Sequence, residues 1–305
     1  MKNFISFPGL GIGEFSVKEV AFNLFGRDIA WYGVIITIGI ILAVTYVMKR
    51  SKYEGIKEDD ILDFAIFVIP LAIIGARLFY VLTSLDKYKT FYDVIAIWEG
   101  GLAIYGAVIT GALVVLCVCL VKKIKILKMF DLACPAVMIG QIIGRWGNFV
   151  NAEAFGRETD IFIRMGIRPE WSNVAMYVHP TFLYESLWNL LGFLLINAYY
   201  KKKKYHGEIF FMYISMYGIG RFFIEGLRTD SLYVGDFRIS QVIGIVSFIV
   251  GVTFLLLFYF KKARGAQPIL EIEGTVNPKT DKKTEKVNVI NDVEKMEEDE
   301  NGKDN

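Results

Sequence analysis

The chain is poor in the residues that build metal centres. It has three cysteines, Cys117, Cys119 and Cys134, and two histidines, His179 and His206. None falls into the short Cys/His spacings that hold zinc, so no metal site is expected. All three cysteines lie inside apolar stretches, where a thiol packs as a small inert hydrophobe. Residues 1–28 contain no continuous apolar run of the kind a secretory leader needs, so none is expected there. No internal repeat is evident. An excess of one charge sign is also missing: 34 Lys and Arg stand against 32 Asp and Glu, a formal balance of +2. No nucleic-acid partner is expected.

What the chain has in abundance is apolar sequence. Of 305 residues, 54% are hydrophobic, and the mean hydropathy is +0.42. Seven runs are long enough to cross a hydrocarbon core of about 30 Å. They span roughly Ile29–Met48, Ile61–Leu82, Leu102–Val121, Met129–Val150, Thr181–Tyr200, Ile209–Leu227 and Ile239–Phe260. The expected fold class is therefore all-α, a polytopic membrane helix bundle covering residues 1–264. The stretch "FPGLGIGEFSV" alternates apolar residues with glycine and reads as a short surface segment. From residue 265 to 305 the composition turns to Lys, Glu, Asp and Asn, with almost no aromatics. Such a segment buries too little apolar surface to order itself and is expected to be a disordered, charged tail.

Orientation follows from Lys and Arg in the short connections. The loops after the first, third, fifth and seventh runs hold Lys49, Arg50, Lys52 and Lys57, then Lys122, Lys123, Lys125 and Lys128, then Lys201 to Lys204, then Lys261, Lys262 and Arg264. The alternate loops are longer and sparser in cations. The expected topology has the N-terminus outside and the C-terminus in the cytoplasm. It places Tyr32, Tyr105, Arg145, Asn148, Glu185, Tyr217 and Arg221 toward the outer ends of their spans. Arg77 falls about 16 residues into its run, roughly 24 Å from the inner face. Asp63 and Asp131, near inner ends, are the main exceptions to this one-sided pattern.

Two stretches gather the polar groups. In "IFFMYISMYGIGRFFIEGLRTD", Tyr217, Arg221, Glu225 and Arg228 recur at helical spacing and share one narrow face. In "GRWGNFVNAEAFG", Arg145 and Asn148 are three residues apart, followed by Asn151, Glu153 and Gly156. Three unpaired arginines at the bilayer centre, Arg77, Arg145 and Arg221, would together cost roughly 8–10 kcal/mol. Snorkelling toward lipid headgroups is one reading of each. Pairing with Glu153, Glu185 or Glu225 is another, with no ligand needed. A third is a site for an anion, because the guanidinium fork suits phosphate and the expected depth is that of outer-leaflet headgroups. Asn and Tyr would add neutral donors and acceptors for hydroxyls.

"GRWGNFVNAEAFG" closely resembles the signature of bacterial prolipoprotein diacylglyceryl transferases. The resemblance extends to "WYG" at 31–33, "GARLFYVL" at 75–82, "WEGGLAIYG" at 98–106, "HPTFLYE" at 179–185 and "YGIGRFFIEGLR" at 217–228, covering roughly residues 1–262. It implies seven spans in the bacterial cytoplasmic membrane, with the active site toward the outer leaflet. It also implies transfer of the diacylglyceryl group of phosphatidylglycerol to the lipobox cysteine of a prolipoprotein signal peptide. A thioether forms and glycerol phosphate leaves, without a cofactor. Carried over residue by residue, Arg145 and Arg221 would face the phosphate. Asn148, Asn151, Glu153 and Gly156 would shape the signature loop, Tyr32 and Tyr217 would line the pocket, and Arg77, Glu225 and Arg228 would be supporting ion pairs. Many members carry a histidine where this chain has Tyr105. A tyrosine, with a pKa near 10, is a weaker base at neutral pH, so Tyr105 is expected to hydrogen-bond a substrate group. A carrier or scramblase that holds an anionic headgroup is the competing reading, although the paired halves and broken helices of many transporters are not visible here.

Overall fold

The structure is a computed structural model that describes residues 2–263. The tail expected from residue 265 lies outside the described residues. Seven long helices follow the seven apolar runs to within a turn at each end: α1 (Trp31–Ser51), α2 (Glu58–Leu82), α4 (Ile104–Lys122), α5 (Ile126–Val150), α6 (Thr181–Tyr200), α7 (Glu208–Glu225) and α8 (Ile239–Ala263), with a short α3 (Phe91–Ile95) between α2 and α4. Five of them, α1, α2, α4, α5 and α8, are long and apolar enough to cross a membrane. The protein is thus a polytopic membrane protein. The other two, α6 and α7, are diluted by the polar side chains that make them interesting: Glu185, Asn189 and Asn197 on α6, and Glu208, Arg221 and Glu225 on α7.

The all-α expectation needs correction. Eight short strands form three small sheets among the described residues: β1 (Lys2–Phe7), β2 (Ile12–Lys18), β5 (Met165–Pro169) and β6 (Met176–Val178) in the order β2-β1-β5-β6, and the hairpins β3 (Val20–Leu24) with β4 (Arg27–Ala30) and β7 (Tyr233–Val234) with β8 (Phe237–Arg238). The stretch read as a surface segment is therefore the β1–β2 arm of a sheet. Its partner lies far along the chain, with Ile5 opposite Ile167, so a local window cannot reveal it. One face of the sheet carries buried Ile5, Phe7, Met165, Ile167 and Val178. These pack on Phe149 and Phe182, seating the sheet over the ends of α5 and α6.

The bundle is close-packed through small residues, as helices in lipid commonly are. A Cβ on Gly106 of α4 would overlap the Gly75 carbonyl of α2, and one on Gly218 of α7 would overlap the Gly244 carbonyl of α8. Helix α5 packs against α1, α6 and α7 and so lies at the centre. Pro135 inside it is fully buried.

At the end of the bundle away from the sheet, a second set of polar groups is buried. Lys203, between α6 and α7, reaches Glu54 Oε1 at 2.6 Å and Asp131 Oδ2 at 3.1 Å. The Tyr200 hydroxyl donates to Glu54 Oε1 at 2.7 Å. Beside them His206 is 1% exposed. Burial, and after it the Lys203 charge, pushes its pKa from 6.5 down to about 4; Glu54 opposes this, while Lys125 and Lys128 add to it. In the unfolded chain this imidazole takes a proton below pH 6.5 that the folded state refuses. Its contribution to stability is therefore full above pH 6.5 and is lost as pH falls toward about 4. Thermal unfolding of the detergent-purified protein is expected to show a midpoint falling between pH 7 and pH 4.5, and a shallower fall for His206→Phe. Identical slopes would contradict this role for His206.

Candidate active site

The signature sequence forms the last turns of α5 and the loop that leaves it. Arg145 and Asn148, one turn apart, meet directly, with Arg145 Nη1 donating to Asn148 Oδ1 at 3.2 Å. Asn148 Nδ2 then donates to Glu153 Oε1 at 2.9 Å. Asn151 is the C-cap residue of the helix, its N–H bonded to the Gly147 carbonyl at 3.0 Å. Ala152 and Ala154, on either side of Glu153, both sit at positive φ, 51° and 55°. Residues other than Gly, Asn and Asp seldom adopt this conformation, and such strain clusters at functional sites. The loop is held from outside: Thr181 Oγ1 donates to the Ala154 carbonyl at 2.5 Å, and the Gly156 N–H to the His179 carbonyl at 3.0 Å. Gly156 has no room for a side chain, since a Cβ would lie 2.7 Å from that of His179 and 3.1 Å from the Leu227 carbonyl.

The centre of the site is Glu185, in the first turns of α6 and 6% exposed. Three arginines converge on its carboxylate. Arg145 Nη2 lies 2.7 Å from Oε2, and Arg221 Nη1 lies 3.2 Å from Oε1 and 3.3 Å from Oε2. Arg228 Nη1, just past the end of α7, lies 3.2 Å from Oε1. The arginines have further partners: Glu225 at 2.7 Å for Arg221, and Asp230 at 2.7 Å for Arg228. Burial and then the bond from Arg228 act in opposite directions on Asp230, and its carboxyl ends below the usual range. The backbone carbonyl of Glu225 accepts from Arg238. Within this group three guanidinium charges face the carboxylates of Glu185, Glu225 and Asp230, so the cluster is balanced. Arg145 has the most exposed side chain of the three, at 25%.

The expected residues are thus distributed unevenly. Arg145, Asn148, Glu153, Arg221, Glu225 and Arg228 belong to one continuous polar network. Gly156 closes its loop, with an isolated bridge to Arg228. Tyr32 packs against α5, where a Cβ on Gly147 would lie 2.7 Å from its ring. Tyr217 lies one turn before Arg221 on α7, its ring stacked with Tyr213 at 6.0 Å. Tyr105 reaches the network indirectly: its hydroxyl is 2.9 Å from Ser240 Oγ, which lies 3.4 Å from Arg221 Nη2. His179 shares a 3.2 Å hydrogen bond with the Tyr184 hydroxyl.

Arg77 is the correction. It meets carbonyls where an ion pair was expected, donating to Val94 (2.9 Å), Gly100 (2.6 Å), Gly101 (3.1 Å) and Asp93 (2.6 Å). The chain between α2 and α4 folds over the end of α2 and leaves these oxygens without helical partners, and one guanidinium satisfies them. Ser240 and Asp230 were not foreseen: a serine opening an apolar helix carries no signal. Glu185 entered only as a possible pairing partner, whereas it is the point on which three arginines meet.

These features define a class: a multi-helix membrane protein with a buried arginine–carboxylate network at one end of the bundle, closed by a strained loop. Residues 19–257 match the family described as prolipoprotein diacylglyceryl transferase. The chain is 47% identical over 248 residues to the phosphatidylglycerol–prolipoprotein diacylglyceryl transferase of Finegoldia magna, covering 81% of this chain and 97% of that protein. It is 42% identical over 249 residues to the enzyme of the same name from Streptococcus mutans, covering 79% and 95%, and 43% identical over 249 residues to one from Clostridium perfringens, covering 79% and 94%. The chain belongs to the prolipoprotein diacylglyceryl transferase family.

Removing one partner of a buried ion pair costs about 3–5 kcal/mol. Glu185→Gln leaves three arginines facing a neutral amide and is expected to lower stability by about that amount, read as a lower thermal-unfolding midpoint in detergent. An unchanged midpoint would mean that the arginines do not depend on Glu185.

Proposed function

We propose that this chain transfers the diacylglyceryl group of phosphatidylglycerol to the thiol of the lipobox cysteine in prolipoproteins. Family membership and the names of the relatives support the reaction. The single structural observation that supports the assignment of the site is the convergence of Arg145, Arg221 and Arg228 on Glu185 beside the strained signature loop. In the reaction a bond forms between the cysteine sulfur and a glyceryl carbon. The bond from that carbon to the phosphate oxygen breaks, its electron pair stays on the departing glycerol phosphate, and the thiol proton goes to that phosphate monoester or to water.

The chemistry sets two demands. A thiol with a pKa near 8.5 is a weak nucleophile until it is deprotonated. The leaving phosphate gains negative charge, which donors fixed in place before the reaction stabilise best. Arg145 and Arg221 meet the second demand. They are drawn toward one spot by Glu185; although the cluster as a whole is balanced, the N–H donors of Arg145, the most exposed of the three, favour a thiolate placed directly beside them. Arg228 and Glu225 hold this pair in place. Asn148, Asn151 and Glu153 present amides and a carboxylate to the glycerol hydroxyls, on a loop whose close packing requires Gly156. Tyr32 and Tyr217 line the lipid side. Arg77 shapes the site from a distance by holding the α2–α4 connection. Tyr105, linked to Arg221 through Ser240, acts by hydrogen bonding and not as the base.

This reading places the site toward the outer leaflet of the bacterial cytoplasmic membrane, with α6 and α7 also spanning and the N-terminus outside. The lysine-rich connections then face the cytoplasm. At 18 residues α7 is about 27 Å long, close to the hydrocarbon thickness.

The test is transfer by purified protein from phosphatidylglycerol to a peptide carrying a cysteine lipobox, followed by mass spectrometry. A diacylglyceryl-sized gain is expected, absent with a Cys→Ser peptide or with phosphatidylethanolamine as donor. Arg145→Ala is expected to lower the rate about 10²–10³-fold. Tyr105→Phe removes one neutral hydrogen bond and is expected to lower it about tenfold or less. Bound lipid without any gain would turn the reading toward a lipid carrier. A loss in Tyr105→Phe as large as that in Arg145→Ala would overturn the modest role given to Tyr105.

A further inference from the structure

The group at the opposite end of the bundle includes a carboxylate that bonds to the start of a helix other than its own. Asp131 lies in the second turn of α5 and is fully buried. Its Oδ1 accepts from the backbone N–H of Phe210 at 2.8 Å, and its Oδ2 from that of Gly207 at 2.8 Å. Both donors belong to the N-terminus of α7. That terminus has no side-chain cap of its own: its N-cap is Gly207, at φ 101°. The first N–H groups of a helix lack partners within the helix and carry partial positive charge, so a carboxylate fixed there is both a cap and an electrostatic anchor. Lys203 adds a third contact and ties the same carboxylate to Glu54, next to the end of α1.

Helix α7 carries Tyr217, Arg221 and Glu225, and α5 carries Arg145. Thus the helix that presents Arg145 also holds the starting point of the helix that presents Arg221. We propose that Asp131 is a positioning residue for the transfer reaction: by seating the N-terminus of α7 on α5 it sets the height and rotation of Arg221 relative to Arg145, from the far end of the bundle. The geometry transmits this because α7 runs from Glu208 to Glu225 as one α-helix with no proline inside it, stiff along its axis. Its contacts at mid-length, Gly218 against the Gly244 carbonyl of α8 and Trp188 of α6 donating to the Met216 carbonyl at 2.8 Å, fit one register of the helix, and the Asp131 bonds hold α7 in that register. The inference rests on Arg221 acting in the reaction, as set out above.

The experiment is a double-mutant cycle on kcat, with KM for phosphatidylglycerol measured alongside, using full-length protein in detergent. Asp131→Asn cannot accept from both N–H groups. It is expected to lower kcat about 10- to 100-fold, the scale of a displacement near 1 Å at a reacting centre, with KM changed less than about threefold. In an Arg221→Ala background the same substitution is expected to lower kcat less than about twofold, because the residue it positions is gone. Asp131→Glu keeps the charge opposite Lys203 but moves the carboxylate by one methylene, and it is expected to share the loss; it takes the place of Asp131→Asn in the cycle if the asparagine variant does not fold. Full activity in Asp131→Glu would reduce the residue to charge balance and overturn the proposal. So would an undiminished further loss in the Arg221→Ala background, which marks general damage to the fold. Arg221→Ala alone retaining full activity would instead remove the reading on which the inference rests.

Discussion

The site depends on one carboxylate shared by three guanidinium groups. Arg145, Arg221 and Arg228 come from α5, α7 and the turn beyond α7, and Glu185 on α6 is where they meet. A guanidinium in a bilayer is costly alone, and a carboxylate more so without partners. Together they are stable enough to sit at the end of a helix bundle. The same pairing keeps several N–H donors close together, which is the arrangement the proposed phosphate site requires. Structure and chemistry thus draw on the same contacts.

The rest of the fold serves to keep those contacts in register. Glycines let α2 and α4, and α7 and α8, approach to backbone contact, so the helices have little freedom to slide. The small sheet covers the ends of α5 and α6 and brings β6 alongside the signature loop, where Gly156 and His179 pair. The two left-handed alanines show how far the loop is bent to place Glu153 beside Asn148. At the other end, Lys203, Glu54 and Asp131 tie together the ends of helices that carry the site.

Much of this was legible in the sequence, and the exceptions have physical reasons. The seven long helices were visible because apolar runs are local. The stripe of Tyr217, Arg221 and Glu225 was visible because helical periodicity is local as well. Glu185 was underrated because its importance lies in what other helices bring to it, and spacing along its own helix says nothing of that. The sheet was missed because β1 pairs with β5 across most of the bundle. For Arg77 the family resemblance implies an ion pair and names no partner; the carbonyls of Asp93, Val94, Gly100 and Gly101, freed by the fold of the α2–α4 connection, take the guanidinium instead. Asp131 stood out only as an acidic residue at the wrong end, and its bonds to Gly207 and Phe210 depend on a contact between two helices that no single segment encodes.

The most direct test of the central claim is an experimental structure of the protein with phosphatidylglycerol bound. The account predicts phosphate oxygens within hydrogen-bond distance of Arg145 and Arg221, with at least one of their bonds to Glu185 lengthened to admit them. A headgroup bound elsewhere, with all three arginines still closed on Glu185, would contradict it and leave the network as a structural device.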